Sequence, residues 1–221
     1  MASLATNTTL TMASENNVIC EQATLSGHIT LGSNNIIHPK STIMSLNDEC
    51  GGILIGSNNI IEEYAMIINR YVLVVFYIWI AATKEWGSES DTNVERRNKE
   101  TLIIGDNNLL GIRSVFEGVC IGSDCILEAK SKPCYLINFS SSILTTSKQT
   151  GRVQVGTSIG SNCIIGVNCS TGMNEIIPDH TILYGQGYTR TQTTTSTSLH
   201  SKHTNYLKDV LPKYHHLKSN V

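Results

Sequence analysis

His28, His38 and His180 are imidazoles lying among the apolar stretches of this chain, and His215 and His216 stand side by side near its C-terminus. Three convergent imidazoles with an open water position would make a zinc centre able to activate water. A single His beside a loop that holds an acyl carrier would instead act as general base for acyl transfer, and His38, in IIHPKS, is the candidate for that role. Glu62 and Glu63, in IIEEYAMIIN, have the chemistry of an acid–base pair. Neighbours in a strand point to opposite faces, so one of the two is expected in solvent. His28, His38 and His180 are far apart in sequence, with no closely spaced pair to mark a shared site. No catalytic residue, cofactor or metal ligand is therefore assigned, and His38 with Pro39 is read as an ordinary corner. The seven cysteines form no CxxC pair, and they are read as free thiols, with Cys163 and Cys169 as small apolar fillers.

The elements that would have to position these groups follow an unusual beat. Aliphatic residues return every sixth position at Leu31, Ile37 and Ile43, and again at Ile55, Ile61 and Ile67. The beat resumes at Ile104, Leu110 and Phe116, restarts at Ile121 and Leu127, and runs from Ile159 through Ile165, Thr171 and Ile177 to Leu183. A period of six fits neither a helical face nor one long alternating strand. It fits a short strand followed by a corner, with three hexads closing one triangular coil and successive coils stacked about 4.8 Å apart. Gly often follows the aliphatic, and Asn or Asp recurs three places after it, at Asn34, Asn58, Asn107, Asp124, Asn162 and Asn168. Both residue types tolerate the left-handed backbone of a tight corner. One place further on the residue is usually small, as at Ser41, Ala65, Ser114, Cys125, Cys163 and Thr181, which marks a second inward position. GSNN leads into a strand rather than a helix N-terminus, so it lacks the geometry of a phosphate loop.

The fold class expected is therefore all-β, a parallel β-helix of hexapeptide repeats with a C-terminal α-helix. The left-handed form is inferred from the likeness of these hexads to known ones. Repeats of this kind also resemble two enzyme classes, acyltransferases and γ-class carbonic anhydrases, and such an enzyme is the alternative reading.

Four segments are expected. A polar N-terminal segment spans 1–17, and the β-helix spans 18–187 with insertions at 70–101 and 132–154. A Ser/Thr-rich linker follows over 188–204, then a helix over 205–221. The stretch Thr189–Ser198 is expected to be a phosphorylatable tether. In the helix Leu207, Val210, Leu211, Tyr214 and Leu217 make an apolar stripe, while Lys208, Lys213 and Lys218 stay in solvent and Pro212 kinks the helix or starts a second turn. The formal net charge is −2, and no basic stripe argues for nucleic acid. The apolar run Tyr71–Ala82 is shorter than the roughly 20 residues of a membrane span. No secretory signal opens the chain, so cytoplasmic residence is expected.

The stretches GHITLGSNNIIHPKSTI, IGSNNIIEEYAMIINR, LIIGDNNLL, SNCIIGVNCSTGMNEIIPDHTILYG and LPKYHHLK together resemble the dynactin subunit 6 family, the p27-type subunits of the dynactin pointed-end complex. The resemblance implies a non-catalytic scaffold in the cytoplasm and cytoskeleton, supporting dynein-driven transport along microtubules. As partners it implies a related β-helical subunit, p25, and other pointed-end subunits including an actin-related protein. Tyr214, His215 and His216 are the candidate partner surface.

Overall fold

The computed structural model describes residues 9–12, 16–45, 51–69, 101–129, 152–153, 156–172, 174–185, 189–192 and 200–218. Each hexad folds as a short strand, and the strands stack into three sheets. The first contains β1 (Thr9–Met12), β4 (His28–Leu31), β7 (Ile53–Ile55), β10 (Leu102–Ile104), β13 (Cys120–Ile121), β16 (Ser158–Ile159) and β18 (Ile176–Ile177). The second contains β2 (Val18–Ile19), β5 (Ile36–Ile37), β8 (Ile60–Ile61), β11 (Leu109–Leu110), β14 (Ile126–Leu127), β17 (Ile164–Ile165), β19 (Thr181–Tyr184) and β20 (Thr189–Gln192). The third contains β3 (Thr24–Ser26), β6 (Thr42–Ser45), β9 (Met66–Asn69), β12 (Val115–Phe116) and β15 (Arg152–Val153). Among the described strands all pairings are parallel except that of β19 with β20, and the isolated bridge between Cys20 and Leu217 is antiparallel too. The architecture is a parallel β-helix, with three sheets of stacked strands around one core.

The periodic aliphatics point into one core. On the second sheet Ile19, Ile37, Ile61, Leu110, Leu127, Ile165 and Leu183 lie in register from coil to coil. Each of these side chains is buried. Among the small inward residues, Ser41, Ala65, Ser114, Cys125, Cys163 and Thr181 are buried as well.

The corners divide the work between Asn and Gly differently from expectation. Asn34, Asn58, Asn107, Asp124, Asn162 and Asn168 adopt φ between 58° and 61°, in the left-handed region that short polar side chains enter most readily. The hexad glycines beside them do not. Gly32 is needed because a Cβ there would lie 2.7 Å from the Gly56 carbonyl of the next coil. The constraint is the close approach of stacked backbones rather than φ.

The second Asn of the repeated NN pair forms a buried ladder that the sequence reading missed. The Asn35 backbone N–H donates to Asn17 Oδ1 at 2.8 Å, that of Asn59 to Asn35 Oδ1 at 2.9 Å, and that of Asn108 to Asn59 Oδ1 at 2.8 Å. The Asn35 and Asn59 amide groups donate in turn to the Gly56 and Gly105 carbonyls. Beyond Asn108 the rung passes to sulfur, with the Cys125 N–H on Asn108 Oδ1 at 2.8 Å and the Cys163 N–H on Cys125 Sγ at 3.4 Å. A buried side chain can occupy this column only if it serves the backbone donor above it.

Several expected boundaries change. β1 lies within the segment expected to be a polar N-terminal extension, and it pairs with β4. β15 lies inside the expected insertion 132–154, where Val153 is buried beneath Phe116. β20 lies inside the expected linker, so Thr189–Gln192 is a paired strand rather than a loose tether. The helix α1 runs over His200–Tyr214, not 205–221, and beyond it Leu217 bridges to Cys20 of the first coil. The apolar run Tyr71–Ala82 and most of the stretch 132–154 lie outside the described residues. Among the described residues no helix is long and apolar enough to cross a membrane.

Candidate docking surface around the C-terminal helix

The outward side of the second sheet is apolar in its first coils, and water cannot be left there cheaply. Val18, Ile36 and Ile60 form a small core with Cys20 and with Leu207 and Leu211 of α1, and Leu109 packs partly against it. Thr204 is buried as well, so the docking stripe is Thr204, Leu207 and Leu211. Tyr214 and Leu217, expected on that stripe, are 77% and 39% exposed. Tyr214 ends the helix, and Leu217 lies beyond it in a bridge with Cys20. Pro212 lies inside the last turn of α1. Lys208, expected in solvent, is half-buried and donates from Nζ to Asn34 Oδ1 at 2.8 Å.

The tail is fastened by backbone rather than side chains. The Glu21 N–H donates to the His216 carbonyl at 2.7 Å and the Lys218 N–H to the Ile19 carbonyl at 2.8 Å. An open sheet edge invites another strand, and these bonds occupy the free edge of the first coil. β20 occupies the opposite edge of the same sheet.

The three expected partner residues end up in different surroundings. Tyr214 projects into solvent, His215 is half-buried with its N–H on the Leu211 carbonyl at 2.9 Å, and the His216 side chain is exposed. His203 of α1 and His215, just beyond it, both act on His38. Burial, reinforced by these two imidazoles, holds the His38 pKa down at about 4. Its Nε2 is buried and has no hydrogen-bond partner.

The other residues considered for chemistry do not converge. His28 lies on β4 of the first sheet, and His180 lies at the corner between β18 and β19. Glu62 Oε2 accepts the Ile112 N–H at 2.9 Å, which makes it a brace between coils. Both Glu62 and Glu63 are half-buried. Among the described residues no group of three or more His, Cys, Asp or Glu side chains is placed to hold a metal ion. Cys20, Cys125, Cys163 and Cys169 are buried free thiols, and Cys120 is half-buried.

A second feature beside this surface was not read from the sequence. Lys40, Tyr64 and Arg113 occupy equivalent corner positions in three stacked coils, with φ of 59°, 58° and 59°. Each stands three places after a second-sheet aliphatic, Ile37, Ile61 or Leu110, so the hexad register alone would have aligned them. Lys40 Nζ and Arg113 Cζ each lie 5.3 Å from the centre of the Tyr64 ring.

No family model matches the chain. It is 31% identical over 201 residues to a protein of Nematostella vectensis named Dynactin subunit 6, covering 91% of this chain and 88% of that one. The Danio rerio protein of that name is 28% identical over 204 residues, covering 92% and 85%. The Xenopus tropicalis protein is 29% identical over 201 residues, covering 91% and 81%. Solved structures with some likeness include PerB of Caulobacter crescentus in complex with CoA and GDP-perosamine, at TM-score 0.48 and 17% identity over 79% of this chain and 56% of that one. Another is the LpxA UDP-N-acetylglucosamine acyltransferase of Bacteroides fragilis, at TM-score 0.46 and 15% identity over 87% and 70%. Likeness at that level carries nothing about activity. The near full-length match to the curated relatives does carry a conclusion: the chain belongs to the dynactin subunit 6 family.

Proposed function

We propose that this protein is a non-catalytic scaffold subunit of the dynactin pointed-end complex, resident in the cytoplasm and cytoskeleton and supporting dynein-driven transport along microtubules. In this reading it pairs with a related β-helical subunit, p25, and with other pointed-end subunits including an actin-related protein. The observation that carries it is the near full-length match to the dynactin subunit 6 relatives. The C-terminal surface supports it. α1 and the tail are docked on the first coils, which leaves Tyr214 at the surface on a fixed support. An amphipathic ring on a rigid element is well suited to a protein contact.

The acyltransferase alternative needs an imidazole that can reach a substrate proton. His38 has its Nε2 buried beneath the docked helix, which counts against that role. The deciding experiment is affinity purification of the tagged full-length chain from its source cells, followed by mass spectrometry. Recovery of the other dynactin subunits in near-stoichiometric amounts is the expected result, and their absence would defeat the proposal.

A further inference from the structure

The corner column Lys40–Tyr64–Arg113 carries an inference about what kind of surface the protein meets. At the preceding corner of each coil the left-handed position holds Asn, Asp or, once, His; here it holds Lys, Tyr, Arg and Asn168. Long and aromatic side chains are poorly suited to φ near +60°. Strained backbone of this kind persists where the side chain it presents has a use.

The three side chains form one unit. Lys40 Nζ donates to the Tyr64 hydroxyl at 3.1 Å, and the Tyr64 ring lies within cation–π distance of both Lys40 and Arg113. All three are exposed. Among the described residues no carboxylate is in ion-pair contact with Lys40 or Arg113. The acidic group whose field reaches Lys40 is Glu63, and it is the least of the influences on that lysine. Ile112, next to Arg113, is 45% exposed. Two cations and an aromatic beside an aliphatic suit a protein surface better than a phosphate backbone, which needs more charge and no apolar contact. The column is also continuous with the C-terminal surface, because His38, which faces α1 and His215, lies two residues before Lys40.

We propose that Lys40, Tyr64 and Arg113 form a docking edge for an acidic protein segment whose carboxylates lie about 10 Å apart, the rise of two coils. The occupant is a dynactin subunit, so the inference rests on the function proposed above.

The test reconstitutes the full chain with the recombinant pointed-end subunits of dynactin. Apparent Kd is compared for the wild type, Lys40→Glu/Arg113→Glu and Lys40→Arg/Arg113→Lys, at about 50 and about 300 mM salt. Charge reversal is expected to weaken assembly at least about tenfold at low salt, with the gap narrowing at high salt. The charge-keeping pair is expected to bind as the wild type does, and all three proteins to melt alike. Full-strength assembly by the reversed variant would overturn the docking edge and leave dynactin membership standing. Failure of the wild type to assemble would overturn both. Independently, a benzophenone amino acid at position 64 in the otherwise unchanged chain should crosslink to an Asp- or Glu-bearing peptide of a partner subunit. A crosslink to a basic or neutral peptide would overturn the proposal.

Discussion

Asn59 and Asn108 are stacked one above the other inside the coil, and the Asn108 backbone N–H donates to Asn59 Oδ1 at 2.8 Å while Asn59 Nδ2 donates to the Gly105 carbonyl at 3.0 Å. The Asn108 side-chain amide group has no acceptor of its own. The two residues look equivalent in sequence and are not equivalent energetically. Asn59→Ala is expected to cost about 2–4 kcal/mol, because it strands a buried donor and a buried acceptor. Asn108→Ala is expected to cost about 1–2 kcal/mol, because it also removes an unsatisfied group. Urea denaturation of the two variants should rank them in that order, and equal costs would refute the ladder account.

Ile61 and Ile165 stack on the same inward column and are 0% and 3% exposed. Replacing either with Asp buries an unpaired carboxylate, with an expected cost of several kcal/mol. Thermal melting like that of the parent in both variants would refute the inward assignment.

The docked helix makes a third prediction. Leu211→Ala should cost about 2–3 kcal/mol of local stability and expose Val18, Ile36 and Ile60, which hydrogen exchange at Ile19–Glu21 and dye binding would report. Tyr214→Ala, at a side chain 77% exposed, should leave melting unchanged and weaken assembly with the partner subunits. A loss of stability in Tyr214→Ala would place that ring in the fold rather than at a contact.

His38 makes stability depend on pH. Its folded pKa is lowered to about 4 by burial, with His203 and His215 adding to the effect, whereas the unfolded value is about 6.5. Between these values the unfolded chain binds the extra proton, so stability is fully present above about pH 6.5 and is lost as pH falls toward 4, by at most about 3 kcal/mol. Denaturation midpoints from pH 7 to 4 should fall in the parent and fall less in His38→Gln. The same slope in both proteins would exclude His38 as the source.

Thiol reactivity separates access from acidity. The neighbouring Cys125 sulfur holds the Cys163 pKa below the ordinary thiol value, while the Cys163 sulfur and burial push the Cys125 pKa up. Both side chains are 0% exposed, and a thiol that the reagent cannot reach does not react. Brief maleimide treatment of the folded chain should therefore modify Cys120 well before Cys125 or Cys163, as peptide mass spectrometry would show.

The sequence by itself determined the β-helix. A six-residue beat has one economical solution, in which aliphatics such as Ile37 and Ile61 stack inward and Asn34 and Asn58 turn the corners. Each of those roles depends on the residue's own hexad, so it can be read along the chain. The apolar stripe of the C-terminal helix was legible for the same reason in Leu207 and Leu211. What the tertiary structure decided are relations between coils and between distant segments. Gly32 is glycine because of the Gly56 backbone one coil away, and Asn59 is asparagine because of the Asn108 N–H. Leu217 matched the helical spacing yet left the stripe, because the helix ends at Tyr214 and the chain beyond it pairs with the first coil. His38, His203 and His215 meet only because α1 folds back onto the first coils. Lys40, Tyr64 and Arg113 become one surface only when three coils stack. Periodicity specifies which way a side chain points; its neighbour from another coil or from the tail is set by the packing that brings the two together.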